Sequence, residues 1–201
     1  MAIGVLLVVL SSSILVDYSV AAWATQCKAP LLDLLVAMIN PIGSGVTLLI
    51  ACVALALVSR ALDRPRLHDA SLVAALAFMS AGLVEFTLKV LVGRPRPDTG
   101  LAAAGIMGPS WAPGIDSFPS GHATSVFAVA TVFAAYYPGL RWPLYLLAAA
   151  IAVGRVYLER HYLSDIVAGA ALGMAFAAYF YRHRWRVPRR MMLDRSSDTP
   201  V

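Results

Sequence analysis

Six stretches of mostly apolar residues constrain the fold of this chain more than any other feature. They cover residues 2–22, 42–59, 70–92, 121–137, 142–158 and 164–181. A bilayer core of about 30 Å needs about 20 apolar residues per helix, so each stretch comes close to the length of a membrane span. The mean hydropathy of +0.74 is too high for an ordinary soluble domain of this length. The sequence therefore predicts an all-α, polytopic membrane protein, a bundle of six transmembrane helices.

The connections between these stretches are short, and the chain shows no internal repeat or long linker. We predict a single domain over residues 1–201, with a basic cytoplasmic tail over about 182–201 that binds anionic lipid. The first stretch has an alternative interpretation, because Ala22-Trp23-Ala24 resembles the cleavage site of a secretory signal peptide. No Lys or Arg precedes its apolar run, which favours a retained helix.

Residues 25–45 form the first connection between predicted spans. Leu31 to Ile39 are mostly apolar, and Asn40-Pro41 follow them. This pattern predicts a short helix that lies on the membrane surface and ends at a break. We expect this segment to be a connector that lies on the membrane, with guidance of a lipid headgroup toward the site as the alternative, and we assign it no catalytic residue.

The 16 Lys and Arg residues predict the orientation, since loops rich in these residues stay in the cytoplasm. Ten lie in the connections after the second, fourth and sixth stretches, namely Arg60, Arg64, Arg66, Arg141, Arg182, Arg184, Arg186, Arg189, Arg190 and Arg195. The other six are Lys28, Lys89, Arg94, Arg96, Arg155 and Arg160. Five of these six belong to three polar blocks or adjoin them. The three blocks are therefore predicted to share the extracytoplasmic face, at the outer ends of spans three to six.

The first polar block, residues 89–97, combines one lysine with two arginines. Gly93 and the prolines around Arg96 end the helix, so Lys89 lies in its last turn and Arg96 in extended chain. Arg presents a planar fork to two phosphate oxygens and Lys a point charge, so the pair suits one phosphate. Basic side chains at a helix end also commonly reach toward lipid headgroups, and this block alone leaves that alternative open.

The second block, Pro119-Ser120-Gly121-His122, predicts the start of a helix. Pro119 can open the helix, Ser120 suits its first turn, and Gly121 allows a ligand close to the backbone. The free N–H groups of that turn form an anion site. His122 would then stand beside the bound anion, although a lone histidine here could also be a structural hydrogen-bonding residue.

The third block, residues 155–165, places His161 and Asp165 four residues apart. If this segment is helical they share one face, and the carboxylate can accept a hydrogen bond from one ring nitrogen. The other nitrogen would then be free to act as a nucleophile. Arg155 can provide another fork for phosphate, or it can simply pair with Glu159 at four-residue spacing.

Taken together, the three blocks resemble the signatures of the type 2 phosphatidic acid phosphatase (PAP2) superfamily. The shared features are Lys89 with Arg96-Pro97, Pro119 to His122, and Arg155 with His161 and Asp165. One departure is Gly154, where the family commonly has serine. The resemblance implies that His161 attacks phosphorus, that Asp165 orients it and that His122 protonates the leaving oxygen. Phosphate would be bound by Lys89, Arg96, Arg155 and the backbone at Ser120 and Gly121, without a metal or another cofactor.

The resemblance implies a phosphoric monoester or diphosphate hydrolase that acts on a membrane lipid through a phosphohistidine. We expect undecaprenyl diphosphate as the substrate, with phosphatidylglycerophosphate, phosphatidate and lipid A phosphate as alternatives. The expected site is the bacterial cytoplasmic membrane, with the active site facing the periplasm. Membrane lipids are expected partners and nucleic acid is not. A vanadium haloperoxidase and a non-catalytic lipid-binding bundle are the alternatives from other classes.

Overall fold

The structure is a computed structural model that describes residues 2–101 and 105–184. Its main elements are seven α-helices: α1 (Ala2–Gln26), α2 (Pro30–Ile39), α3 (Gly45–Ala61), α4 (Pro65–Val92), α5 (Gly121–Tyr136), α6 (Arg141–Tyr157) and α7 (Leu163–His183). Each of the six predicted apolar stretches coincides with one of these helices, and α2 is the predicted surface helix. The all-α architecture is therefore confirmed.

The number of spans is not confirmed as six. Within the described residues, four helices are long and apolar enough to cross a membrane by themselves: α1, α4, α6 and α7. A fifth span results if α2 and α3, which are bent by 57° at the break between them, are taken together. The remaining helix, α5, has only 16 residues. It is surrounded by the other helices along most of its length, so neighbouring protein covers much of its surface.

The closest helix packing is between α5 and α7, and two glycines make it possible. A β-carbon at Gly169 would lie 2.5 Å from the carbonyl oxygen of Ser120, and one at Gly173 would lie 2.2 Å from that of Thr124. Any larger residue would push the two helices apart. Small residues four apart allow this kind of close approach in membrane bundles. The start of α5 is thereby held against the first turns of α7.

The three polar blocks meet at one end of the bundle, because α4 and α6 run in the opposite direction to α5 and α7. At the other end, Arg66 donates a hydrogen bond to the carbonyl of Tyr136, and Arg184 pairs with Asp69. Basic residues of the predicted cytoplasmic face therefore cluster away from the polar blocks. The tail from residue 185 onward, with Arg186, Arg189, Arg190 and Arg195, lies outside the described residues.

Helix α1 runs without interruption through the predicted cleavage site at Ala22 to Ala24. Ala24 is buried in a cluster with Ala123 of α5, Val156 of α6 and Ile166 of α7. The helix therefore contributes to the core of the bundle.

Candidate active site

The first polar block leaves its helix at Gly93, as predicted. Gly93 has φ 57°, in the left-handed region, and a β-carbon there would lie 1.7 Å from the carbonyl oxygen of Gly108. Only glycine adopts this φ readily and also leaves room for the Gly108 carbonyl. Lys89 lies one turn earlier, and its Nζ is 2.9 Å from Oε1 of Glu85 on the preceding turn. A buried carboxylate therefore partners the lysine.

Arg96 lies in extended chain that folds back across the end of the bundle. Its backbone N–H donates to the carbonyl of Gly114, and Ser117 donates likewise to Arg94, so residues 94–96 run beside residues 114–117. The Arg96 guanidinium donates to Oδ2 of Asp116 at 2.6 Å. Burial alone would raise the pKa of Asp116, but Arg96 holds that pKa below its ordinary value. Asp116 is therefore a charge partner of Arg96.

The second block begins α5 as predicted, with Ser120 at its N-cap. The Ser120 N–H donates to the carbonyl oxygen of Asp165 at 3.0 Å, which joins the starts of α5 and α7. A β-carbon on Gly121 would lie 2.9 Å from Oε1 of Glu85. The glycine therefore lets a carboxylate, as well as any ligand, approach the first turn of α5.

His122 and Arg155 are both covered by the connection between α2 and α3. The Arg155 guanidinium donates to Oδ1 of Asn40 at 2.6 Å, and the His122 ring hydrogen-bonds with the Asn40 backbone. A β-carbon on Gly43 would lie 3.0 Å from the His122 ring. The connection, to which the sequence assigned no catalytic residue, therefore contacts two of the predicted functional side chains.

His161 is held by a different acceptor from the one predicted. Its Nδ1 is 2.7 Å from the carbonyl oxygen of Ser117, whereas the nearest oxygen of Asp165 is 3.7 Å away, too far for a hydrogen bond. The reason is local: α7 begins at Leu163, so His161 precedes the helix and does not share a helical face with Asp165. A carbonyl can only accept, so Nδ1 carries the proton and Nε2 has the free lone pair.

Asp165 is nonetheless central to the support of His161. Its carboxylate is fully buried and accepts from Ser117 Oγ at 2.5 Å, from the Tyr162 N–H at 2.8 Å and from Arg94 at 2.7 Å. Burial lowers the pKa of His161 below its ordinary value, and the charge of Asp165 opposes that effect. The carboxylate thus orients the segment around His161 and contributes a negative potential beside its ring.

The predicted residues share one electrostatic environment. His161 experiences the charges of Lys89, Arg155 and Asp165. His122 experiences those of Lys89 and Arg155, and of His161 when protonated. The structure therefore brings all three blocks to one site. Among the described residues, no group of three or more His, Cys, Asp or Glu side chains is placed to bind a metal ion.

The sequence left open a simple ion pair between Arg155 and Glu159. Glu159 pairs with Lys28 instead. It has φ 58°, which turns the chain after α6, and its carboxylate lies 3.0 Å from Nζ of Lys28. Arg155 is directed toward Asn40 and the site instead. At Gly154, a β-carbon would lie 3.4 Å from Val36 of α2. Helix α2 therefore covers the position where the family commonly has serine.

Several residues around the site could not be identified from local patterns: Asp17, Asn40, Glu85, Asp116 and Ser117. Two of them could have been proposed as functional residues from the sequence. Asp17 and Glu85 are acidic residues inside apolar stretches, and an ionisable residue inside a membrane segment is a functional candidate by default. The others are ordinary loop residues that only the folded chain brings next to the blocks.

Two curated proteins with names of lipid-linked phosphatases resemble this chain in sequence. A lipid A 1-phosphatase of Rhizobium johnstonii is 39% identical over 104 residues, which is 48% of this chain and 41% of that protein. A decaprenylphosphoryl-5-phosphoribose phosphatase of Mycobacterium tuberculosis is 36% identical over 118 residues, 59% of this chain and 63% of that protein. This chain thus matches about half the length of these curated relatives.

The fold is also that of a solved membrane protein. The crystal structure of a transmembrane PAP2-type phosphatidylglycerolphosphate phosphatase from Bacillus subtilis superposes with a TM-score of 0.69 and 22% sequence identity, covering 90% of this chain and 94% of that one. The sequence profile of the PAP2 superfamily matches residues 70–189, which include all three polar blocks. With more than half of its length matched, the chain belongs to the PAP2 superfamily.

Proposed function

We propose that this protein is a membrane lipid phosphatase that hydrolyses a phosphomonoester or diphosphate through a phosphohistidine, without a metal cofactor. The observation that carries the proposal is the buried His161 ring. Its Nδ1 proton is fixed by the Ser117 carbonyl, so Nε2 is the nucleophilic nitrogen, and cationic side chains surround it.

In the first step, Nε2 of His161 attacks phosphorus and the bond from phosphorus to the leaving oxygen breaks. His122 donates a proton to that oxygen, so the lipid departs as an alcohol or as a lipid monophosphate. Lys89, Arg96 and Arg155 stabilise the charge on the three equatorial oxygens, together with the backbone at Ser120 and Gly121. Phosphoryl transfer depends chiefly on such positioning and charge stabilisation.

In the second step, a water molecule attacks the phosphohistidine while His122 takes up its proton. The bond between nitrogen and phosphorus breaks, inorganic phosphate leaves, and the His161 lone pair is restored. Lys89 pairs with Glu85, Arg96 with Asp116 and Arg155 with Asn40 in the structure. Substrate phosphate replaces these acceptors when it binds.

The site lies at the ends of apolar helices, where a lipid presents its headgroup. Basic residues at the opposite end of the bundle support an orientation with the site facing the periplasm and a location in the bacterial cytoplasmic membrane. We take undecaprenyl diphosphate as the first substrate to test. The relatives named for lipid A 1-phosphate and for a decaprenyl-linked phosphate support lipid A phosphate as the second candidate, and phosphatidylglycerophosphate and phosphatidate follow.

Phosphate release by the purified protein tests the proposal. The panel contains undecaprenyl diphosphate, lipid A, phosphatidylglycerophosphate and phosphatidate, each measured in chelator. We expect release from at least one lipid and a clear preference within the panel. Binding of these lipids without release from any of them would instead establish a lipid-binding bundle, and halide oxidation with added vanadate would establish a haloperoxidase.

A further inference from the structure

Asp17 is a buried carboxylate that belongs to none of the three polar blocks. It lies within the apolar helix α1 and its side chain is 0% exposed. A charge at such a position is costly unless it is paired. The residue lies outside the region 70–189 matched by the PAP2 profile, so membership of the superfamily assigns it no role.

Three hydrogen bonds join Asp17 to the site. Its Oδ2 accepts from Arg94 Nη2 at 2.8 Å and from Ser164 Oγ at 2.5 Å. Its Oδ1 accepts from the backbone N–H of Ser164 at 2.8 Å. The carboxylate therefore ties α1 to the chain after α4 and to the first turn of α7.

Arg94 connects Asp17 to Asp165. Its Nη2 contacts Asp17, while its Nη1 donates to Oδ1 of Asp165 at 2.7 Å. The guanidinium also lies over the Tyr162 ring, 4.0 Å from the centroid, which fixes its plane. Burial alone would lower the pKa of Arg94, but the two carboxylates raise it above its ordinary value, so it remains charged. One cation is thus shared between two buried anions.

The net charge of this group matters for the proposed reaction, on which the inference rests. Two carboxylates and one guanidinium leave one negative charge beside His161. When Nε2 of His161 bonds to phosphorus while Nδ1 keeps its proton, the ring becomes positively charged. If Asp17 were neutral, Arg94 would cancel the charge of Asp165, and no net negative charge would face the ring.

We propose that Asp17 is a positioning residue of the phosphatase reaction: it shares the charge of Arg94, so that Asp165 stabilises the positively charged ring of His161. A consequence is that α1 belongs to the working enzyme and is required for its chemistry. Asp17 acts through Arg94 and Asp165, and does not contact the substrate.

The variant that tests this role is Asp17→Asn, which keeps the shape and the acceptor for the Ser164 N–H but removes the charge. Its matched control is Asp33→Asn, which removes one charge from α2, where Asp33 accepts a hydrogen bond from Tyr157. We expect kcat for the best lipid substrate to fall about tenfold in Asp17→Asn. KM should change little, and the control should match wild type. A kcat within twofold of wild type in Asp17→Asn would overturn the proposal.

The pH profile separates an electrostatic role from a structural one. The charged or titratable groups around His161 are Asp165, Lys89, Arg155, Asp116 and His122, and none of them is altered in this variant. Loss of the Asp17 charge makes protonation of His161 less favourable, so the acid limb of kcat/KM should move about 0.5 pH unit lower. Loosened packing would admit water to His161 and move the limb upward. An unmoved or raised limb contradicts the proposal.

If Asp17→Asn does not yield folded protein, the double variant Asp17→Asn, Arg94→Gln provides the test. It removes one charge of each sign, so the group keeps its single negative charge, and the acid limb should stay at the wild-type position. A displaced limb in this variant overturns the proposal. Failure of the proposed function is a different result, because wild type itself would then release no phosphate.

Discussion

The Nδ1 atom of His161 lies 2.7 Å from the carbonyl oxygen of Ser117 and 3.7 Å from the nearest oxygen of Asp165. The tautomer of the proposed nucleophile is therefore set by a backbone carbonyl, while the carboxylate acts on the ring through its charge. Orientation of the ring and electrostatic support come from different residues. Substitutions at Ser117 and Asp165 should consequently have different effects.

Asp165→Asn should reduce kcat far more than Ser117→Ala. The first change removes the charge that stabilises the His161 ring when it becomes positively charged, and the loss of one preorganised electrostatic group costs about 10²–10³-fold. The second removes one hydrogen bond to Asp165 but keeps the carbonyl that fixes the tautomer, so a loss of about tenfold is expected. Steady-state kinetics on the preferred lipid measures both. Equal losses would show that the side chain of Ser117 matters as much as the charge of Asp165.

His161→Ala should abolish turnover, with a loss of at least about 10³-fold, because no other side chain replaces the nucleophile. The protein should still elute as a folded species in detergent. His183→Ala is the control, since His183 lies at the opposite end of α7 and, among the contacts described, touches only Tyr179, through its carbonyl and its ring. Undiminished phosphate release from the His161 variant would contradict the assignment of the nucleophile.

His122→Ala should affect poor leaving groups selectively. A lipid alkoxide needs a proton as it departs, and general acid catalysis contributes about 10²–10⁴-fold. Nitrophenolate leaves without one, so nitrophenyl phosphate should be hydrolysed with a much smaller loss. The ratio of the two kcat/KM values, compared between wild type and variant, is the measurement. An unchanged ratio would assign His122 another role.

The acid limb of kcat/KM should lie below pH 6.5, the ordinary pKa of a histidine. Burial lowers the pKa of His161, so its lone pair remains free as the pH falls, and activity is lost only below that lowered value. The profile should be measured between about pH 4.5 and 8. Ionisation of the substrate phosphate is titrated separately and subtracted. A limb at or above 6.5 would mean that His161 is not the titrating nucleophile in a buried site.

Asp116→Asn should strengthen inhibition by inorganic phosphate. Arg96 donates to Asp116, so neutralising that carboxylate leaves more of the guanidinium charge for phosphate. We expect the inhibition constant to fall about three- to tenfold. The control is Asp98→Asn, because Asp98 pairs with Arg160, which has no assigned role in the site. Equal effects in both variants would show that the loss of any nearby negative charge strengthens phosphate binding, independently of Arg96.

The helices and the polar blocks could be predicted because their signals are local. Apolar stretches of membrane length mark the helices, Gly93 ends α4, and Ser120 begins α5. The spacing of His161 and Asp165 predicted that these two residues lie together, but it predicted a hydrogen bond that the structure does not contain. That contact depends on where α7 begins, and helix boundaries are the least certain part of any prediction from sequence.

Local patterns in the sequence were enough to predict the membrane class and the order of the helices, and to propose the reacting side chains of the phosphatase. The partners that hold those side chains follow from the folded chain alone: the Ser117 carbonyl for His161, Asn40 for Arg155, and Asp17 through Arg94 for Asp165. These partners are 44, 115 and 77 residues apart in the chain, in the pairs His161–Ser117, Arg155–Asn40 and Arg94–Asp17. A periodicity or a short motif reports neighbours within a few residues, whereas these contacts exist only because helices packed through small residues bring distant segments together.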